Sequence, residues 1–203
     1  MHTLPWRALA RTAAILLATT VATRAPAGEI ANPHSFTVYS GRISSEATWH
    51  DVLLKPYSSN YTDSWLLAGS YTYAYRERFN GALRQEYEVN VAYNFGPQDY
   101  WEVNVAPIEL RWQRFPWSNY LRSTLAFGLG LSYAFKYPEI EQELETDTQQ
   151  FLIFWQLELT AGPKDGGPWS AVLRLHHRSP AWGAVGISDG GMNAPSLGFR
   201  YAF

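Results

Sequence analysis

The residues best suited to chemistry lie near the end of the chain, in Leu175-His176-His177-Arg178-Ser179. In an extended strand residues i and i+2 point the same way, so His177 and Ser179 share a face. There an imidazole can take the proton of a serine hydroxyl and make it a nucleophile. This is the chemistry of acyl transfer to serine and then to water, which needs no cofactor. The other histidines and carboxylates show no close metal-ligand spacing, so no metal is expected. The glycine-rich stretches precede no helix that would cradle a phosphate.

The element carrying the pair alternates with period two, and so does most of the chain. Tyr87-Glu88-Val89-Asn90-Val91-Ala92-Tyr93-Asn94-Phe95 is the clearest case, with apolar or aromatic residues at odd positions and polar or small ones between. Similar patterns run through 35–43, 65–76, 101–105, 125–133, 151–160, 169–179 and 196–203, giving about eight strands and no helical periodicity. After Pro107 the apolar face passes to even numbers (Ile108, Leu110, Trp112), which predicts a bulge. Short turns at 78–81, 116–119 and 162–168 alternate with connections at 44–63, 96–98, 136–147 and 180–195, most of them longer. Tight turns on one side and long loops on the other predict an all-β fold, an eight-stranded antiparallel transmembrane β-barrel of the outer-membrane type.

Composition agrees with that reading. Aromatic residues make up 16% of the 203-residue chain and nine are Trp, yet no apolar run is long enough for a membrane helix. Lipid-facing residues that alternate with lumen residues escape a hydropathy window. Arg7 and Arg11, an apolar run at 13–22 and Ala25-Pro26-Ala27 have the form of a secretory signal over 1–27, leaving an exported barrel domain at 28–203. The bacterial outer membrane is the expected location. With no cysteine the chain has no disulfide framework or thiol chemistry. A net charge of −2 disfavours a nucleic-acid partner.

Arg76, Arg84, Glu86, Glu88, Glu102, Glu109, Arg111, Arg122, Glu158, Arg174 and Arg200 fall in the phase opposite to the apolar face. They cannot face lipid, and both signs are present. In a barrel this narrow they are expected to pair as a plug that side chains fill, which disfavours a diffusion channel. Arg174 and His176 belong to the lumen phase, so His177 and Ser179 belong with Leu173 and Leu175 on the membrane side, near the external rim. A polar pair there points to function and to a lipid substrate. His34, His50 and Asp51 are expected to be solvated.

His177-Arg178-Ser179 on the penultimate strand, the following Gly190-Gly191-Met192-Asn193, the closing strand that ends at Phe203 and the glycine-rich Ala126-Phe127-Gly128-Leu129-Gly130-Leu131 together resemble the outer-membrane lipid A 3-O-deacylase family. The resemblance covers nearly all of the mature chain. It implies a serine esterase that removes the 3-position acyl chain of lipid A, with lipopolysaccharide as substrate, Ser179 as nucleophile and His177 as general base. Asn193 stands where the family has a glutamate. An asparagine can orient the imidazole by a hydrogen bond but brings no full charge to the imidazolium. Asp189 is the nearest carboxylate, and Pro180, following the nucleophile, has no N–H to offer an oxyanion. The competing expectation is a non-catalytic small barrel with a structural, lipopolysaccharide-binding or adhesive role.

Overall fold

The structure is a computed structural model, and the residues described are 30–45, 48–144, 148–165, 167–181, 183–186 and 190–203. The segment read as a signal lies outside them. Eight strands run in chain order: β1 (His34–Ser44), β2 (Tyr61–Arg78), β3 (Leu83–Phe95), β4 (Tyr100–Trp112), β5 (Leu121–Ala134), β6 (Phe151–Pro163), β7 (Trp169–Ser179) and β8 (Met192–Ala202). Each pairs antiparallel with the next and β8 returns to β1, closing the barrel. At the first tight turn Phe79 and Asn80 both take positive φ (53° and 54°), the sign that suits a right-twisted hairpin.

The alternating pattern sorts cleanly between the two faces. Trp65, Tyr71, Val89, Val91, Leu125, Phe127, Leu129, Leu173 and Phe199 are exposed on the outside, whereas Glu86, Glu88, Glu102, Arg174 and Arg200 are buried inside. Aromatic collars mark both ends of this apolar belt, Tyr93, Phe95 and Trp101 at the loop end and Tyr71, Tyr73, Tyr201 and Phe203 at the turn end. An apolar outer surface around a charged interior is stable only with hydrocarbon outside, so the barrel spans a membrane. Substituting Arg for Leu129, halfway along β5, is expected to destabilise the barrel by about 2–4 kcal/mol. Equilibrium unfolding from lipid vesicles would measure this, and a change below about 1 kcal/mol would mean that Leu129 does not face lipid.

The bulge predicted at Pro107 is present. Three steps along β4, from Val105 to Ile108, match two along β5, from Leu131 to Leu129, and the β3 ladder shifts at the same level. Gly130 lies against this bulge, where a Cβ would sit 1.8 Å from Val105 O, so only glycine fits. The bulge rotates the second half of the strand by one residue and keeps Glu109 and Arg111 inside.

The lumen is filled in layers. At its middle Arg111 contacts Glu86 (2.8 Å), Glu109 (2.6 Å) and Glu158 (2.8 Å), while Arg174 bridges Glu88 (2.7 Å) and Glu158 (2.5 Å). Toward the loops Tyr39, Ile43, Leu66, Ala68, Ala92, Met192 and Ala194 form an apolar cluster. Two six-residue helices, α1 (Trp49–Leu54) and α2 (Glu139–Leu144), occupy connections read from sequence as plain loops. Ile140 of α2 joins the apolar cluster, and Glu141 approaches Arg178 at 3.2 Å, so α2 stoppers that end. The expected ion-paired plug is therefore present, though Arg76, Arg84 and Arg122 sit half-buried at the turn end instead of within it.

His34 is not simply solvated. Its Nδ1 lies 2.6 Å from the Tyr71 hydroxyl, and its ring stacks with Tyr73 and Phe203 in the turn-end collar. His50 remains exposed, and Asp51 is half-exposed beside Lys55 at 3.5 Å.

Candidate active site

β7 places His177 and Ser179 two residues apart on the outward face, as the alternation requires. The ladder sets His177 directly opposite Asn193 of β8 and Trp155 of β6, and Asn193 opposite Ser44 of β1. One row across four strands thus reads Ser44, Asn193, His177, Trp155 at the loop end of the wall. Gly191 lets the preceding loop re-enter this row. Its φ is +110°, and a Cβ there would lie 2.1 Å from Arg178 O.

Within the row His177 Nδ1 is 2.7 Å from Asn193 Oδ1. An amide oxygen can only accept, so Nδ1 carries the proton and Nε2 keeps its lone pair, the tautomer a general base needs. The Trp155 ring packs on the imidazole with centroids 4.4 Å apart and restricts its rotation. His177 and Ser179 lie on one face, and among the described residues no hydrogen bond joins them. Productive contact therefore requires a rotamer adjustment, as is common before substrate binds.

The site is roofed rather than bare to lipid. His177 is only 7% exposed and Asn193 3%, although both belong to the outward phase. The cover includes α1, which packs against β8 and sets Trp49 edge-on to Trp155 at 5.6 Å. Ser179, at the strand end, stays half-exposed. On α1, outside the wall, the Thr48 hydroxyl donates to Asp51 and holds that carboxyl below its ordinary range. Asp189, the carboxylate nearest in sequence, lies outside the described residues.

His176 faces the lumen, as its phase predicts. Its Nε2 is 2.8 Å from Glu102 and its Nδ1 2.9 Å from the Tyr39 hydroxyl. It is fully enclosed and separate from the outward pair. Sequence reasoning missed two neighbours. Trp155 could be found only from the β6–β7 register. Tyr39 had a visible signal, a large aromatic in the lumen phase of a strand whose other lumen residues include Ser35, Thr37 and Gly41. Among the described residues no group of three or more His, Asp or Glu could hold a metal ion.

No protein-family model matches the chain, and neither does any curated protein sequence. Solved structures align with it along nearly their whole length. The outer membrane enzyme PagL aligns with a TM-score of 0.57 at 10% identity, covering 83% of this chain and 99% of that one. The N-terminal β-barrel domain of Pseudomonas aeruginosa OprF aligns with a TM-score of 0.46 at 11% identity, covering 84% of this chain and 96% of that domain. Neisserial surface protein A gives 0.49 at 11%, covering 85% and 98%. Apolar belt, aromatic collars and closed eight-stranded architecture together make this chain an outer-membrane barrel.

Proposed function

We propose that this outer-membrane barrel is a serine esterase acting on a lipid of its own bilayer, removing the 3-position acyl chain of lipid A from lipopolysaccharide. The observation that carries this reading is the His177–Asn193 hydrogen bond on the outward face, two residues from a half-exposed serine. An ordered base and a hydroxyl at the membrane-facing rim meet an ester held in the same layer. The shared fold of PagL, an outer membrane enzyme, is compatible with it.

In this mechanism Ser179 Oγ adds to the ester carbonyl as its proton passes to His177 Nε2, and the tetrahedral adduct expels the sugar hydroxyl, which takes that proton. Water, deprotonated by the same nitrogen, then releases the fatty acid and restores the serine. Asn193 keeps the imidazole in the required tautomer. Pro180 supplies no N–H, so oxyanion donors must come from other backbone or side-chain groups.

A non-catalytic barrel is the second reading, and the roof over His177 favours it. Mass spectrometry of lipid A from cells with and without the protein separates the two. The esterase reading expects loss of one acyl chain only when the protein is present. An unchanged lipid A profile would overturn it.

A further inference from the structure

The turn end of the lumen differs from its plugged loop end. It opens into a pocket of about 60 Å³ lined by Arg84, Arg111, Arg122 and Arg200, with the hydroxyls of Thr124, Thr160 and Ser170. Among the described residues no carboxylate lines it; Glu86, Glu109 and Glu158 lie one layer deeper, behind the guanidiniums they hold. The volume exceeds that of a single water site several times over.

The cations at this mouth are unevenly satisfied. Arg84 donates to Glu77 at 2.8 Å and to Ala31 O at 2.9 Å, and Arg111 is held by three carboxylates. Arg200 reaches its nearest acids only at 3.4 and 3.5 Å. Arg122 spends one nitrogen, Nη2, on Gly167 O, Trp169 O and the Ser170 hydroxyl, while its buried Nε has no partner among the described residues. A buried donor without an acceptor is costly, and Arg122 Nε beside the loosely held Arg200 leaves positive charge at this mouth for an acceptor to meet.

We infer that the turn-end pocket binds a phosphate group, with Arg122 and Arg200 as its charged donors and Ser170 and Thr160 hydroxyls completing the shell. Guanidinium forks match phosphate oxygens in geometry as well as charge. The strand ends and tight turns put the pocket on the periplasmic side. The phosphate can therefore arrive free in the periplasm or on a phospholipid headgroup of the inner leaflet. The site is far from the His177 row and does not depend on it for function.

The test uses the full chain folded in detergent. Inorganic phosphate, and separately glycerophosphoethanolamine, would be titrated and followed by calorimetry. Saturable binding of phosphate identifies the free anion as ligand, and binding of the headgroup compound alone identifies the lipid. Arg122→Gln is expected to weaken binding about 10- to 100-fold, the value of a charge-assisted hydrogen bond. Ser170→Ala, which leaves every charge in place, is expected to weaken it several-fold, and circular dichroism verifies that both variants fold. Absence of saturable binding in both titrations, or undiminished binding in both folded variants, would overturn the assignment.

Discussion

Under the proposed esterase mechanism, Ser179→Ala and His177→Ala are each expected to reduce lipid A deacylation by about 100- to 10,000-fold while the barrel still assembles. A serine hydroxyl is a poor nucleophile at neutral pH unless a base takes its proton, so losing either partner removes the same step. Ser179 is half-exposed at the end of β7 and its loss leaves no cavity in the packed lumen. His177 supports packing through Trp155, so far-UV circular dichroism of that variant must accompany the assay. Asn193→Asp is the more telling change. It leaves an acceptor where Oδ1 now lies, 2.7 Å from His177 Nδ1, and adds the full negative charge that stabilises an imidazolium. Turnover is expected to rise about tenfold or more if the imidazolium forms during the reaction. Undiminished deacylation by Ser179→Ala, read by mass spectrometry of lipid A, would remove the nucleophile from the mechanism.

The largest stability effect is expected at Arg174. Its guanidinium binds both oxygens of Glu88, at 2.8 and 2.7 Å, reaches Glu158 at 2.9 and 2.5 Å, and lies 4.7 Å from the centre of the Tyr39 ring. All three ionic groups are fully buried. Among the described residues Arg174→Met would leave Glu88 with only the Ser70 hydroxyl at 3.1 Å, and a stranded charge of this kind costs about 3–5 kcal/mol. Glu158 still has Arg111 and Arg200, so Glu88 bears most of the loss. Adding Glu88→Leu to Arg174→Met should therefore recover much of the stability, because removing both partners also removes the stranded charge. Denaturant unfolding from vesicles reads both, and a loss below about 1 kcal/mol in the single variant would mean that the lumen network is not a structural plug.

The strands, their faces and the Pro107 bulge were legible because side-chain alternation is a local property, and a slip of one residue would have put Glu88 and Arg174 into hydrocarbon. The same phase separated His176 from His177. The helices α1 and α2 were not legible. At six residues they lie below the length at which a helix sustains itself, and they exist because Val52 and Ile140 find apolar cover in the assembled barrel. The candidate site was readable as an outward pair, yet its roof was not. The Trp155 ring packs on His177 and meets Trp49 edge-on, and no spacing in sequence brings these three together.

The seam between β1 and β8 governs how this molecule comes into being. His34 and Phe203 exchange backbone hydrogen bonds at 3.1 and 2.9 Å, so the two ends of the folded sequence lock to one another. Until β8 joins β1, the incomplete sheet carries two unsatisfied margins, each able to capture a strand from a neighbouring chain. Chain closure over such a separation adds only a logarithmic entropy penalty, so the hazard is one of time more than of equilibrium. Interruption near the C-terminus would trap open, self-associating intermediates even where every remaining contact is sound.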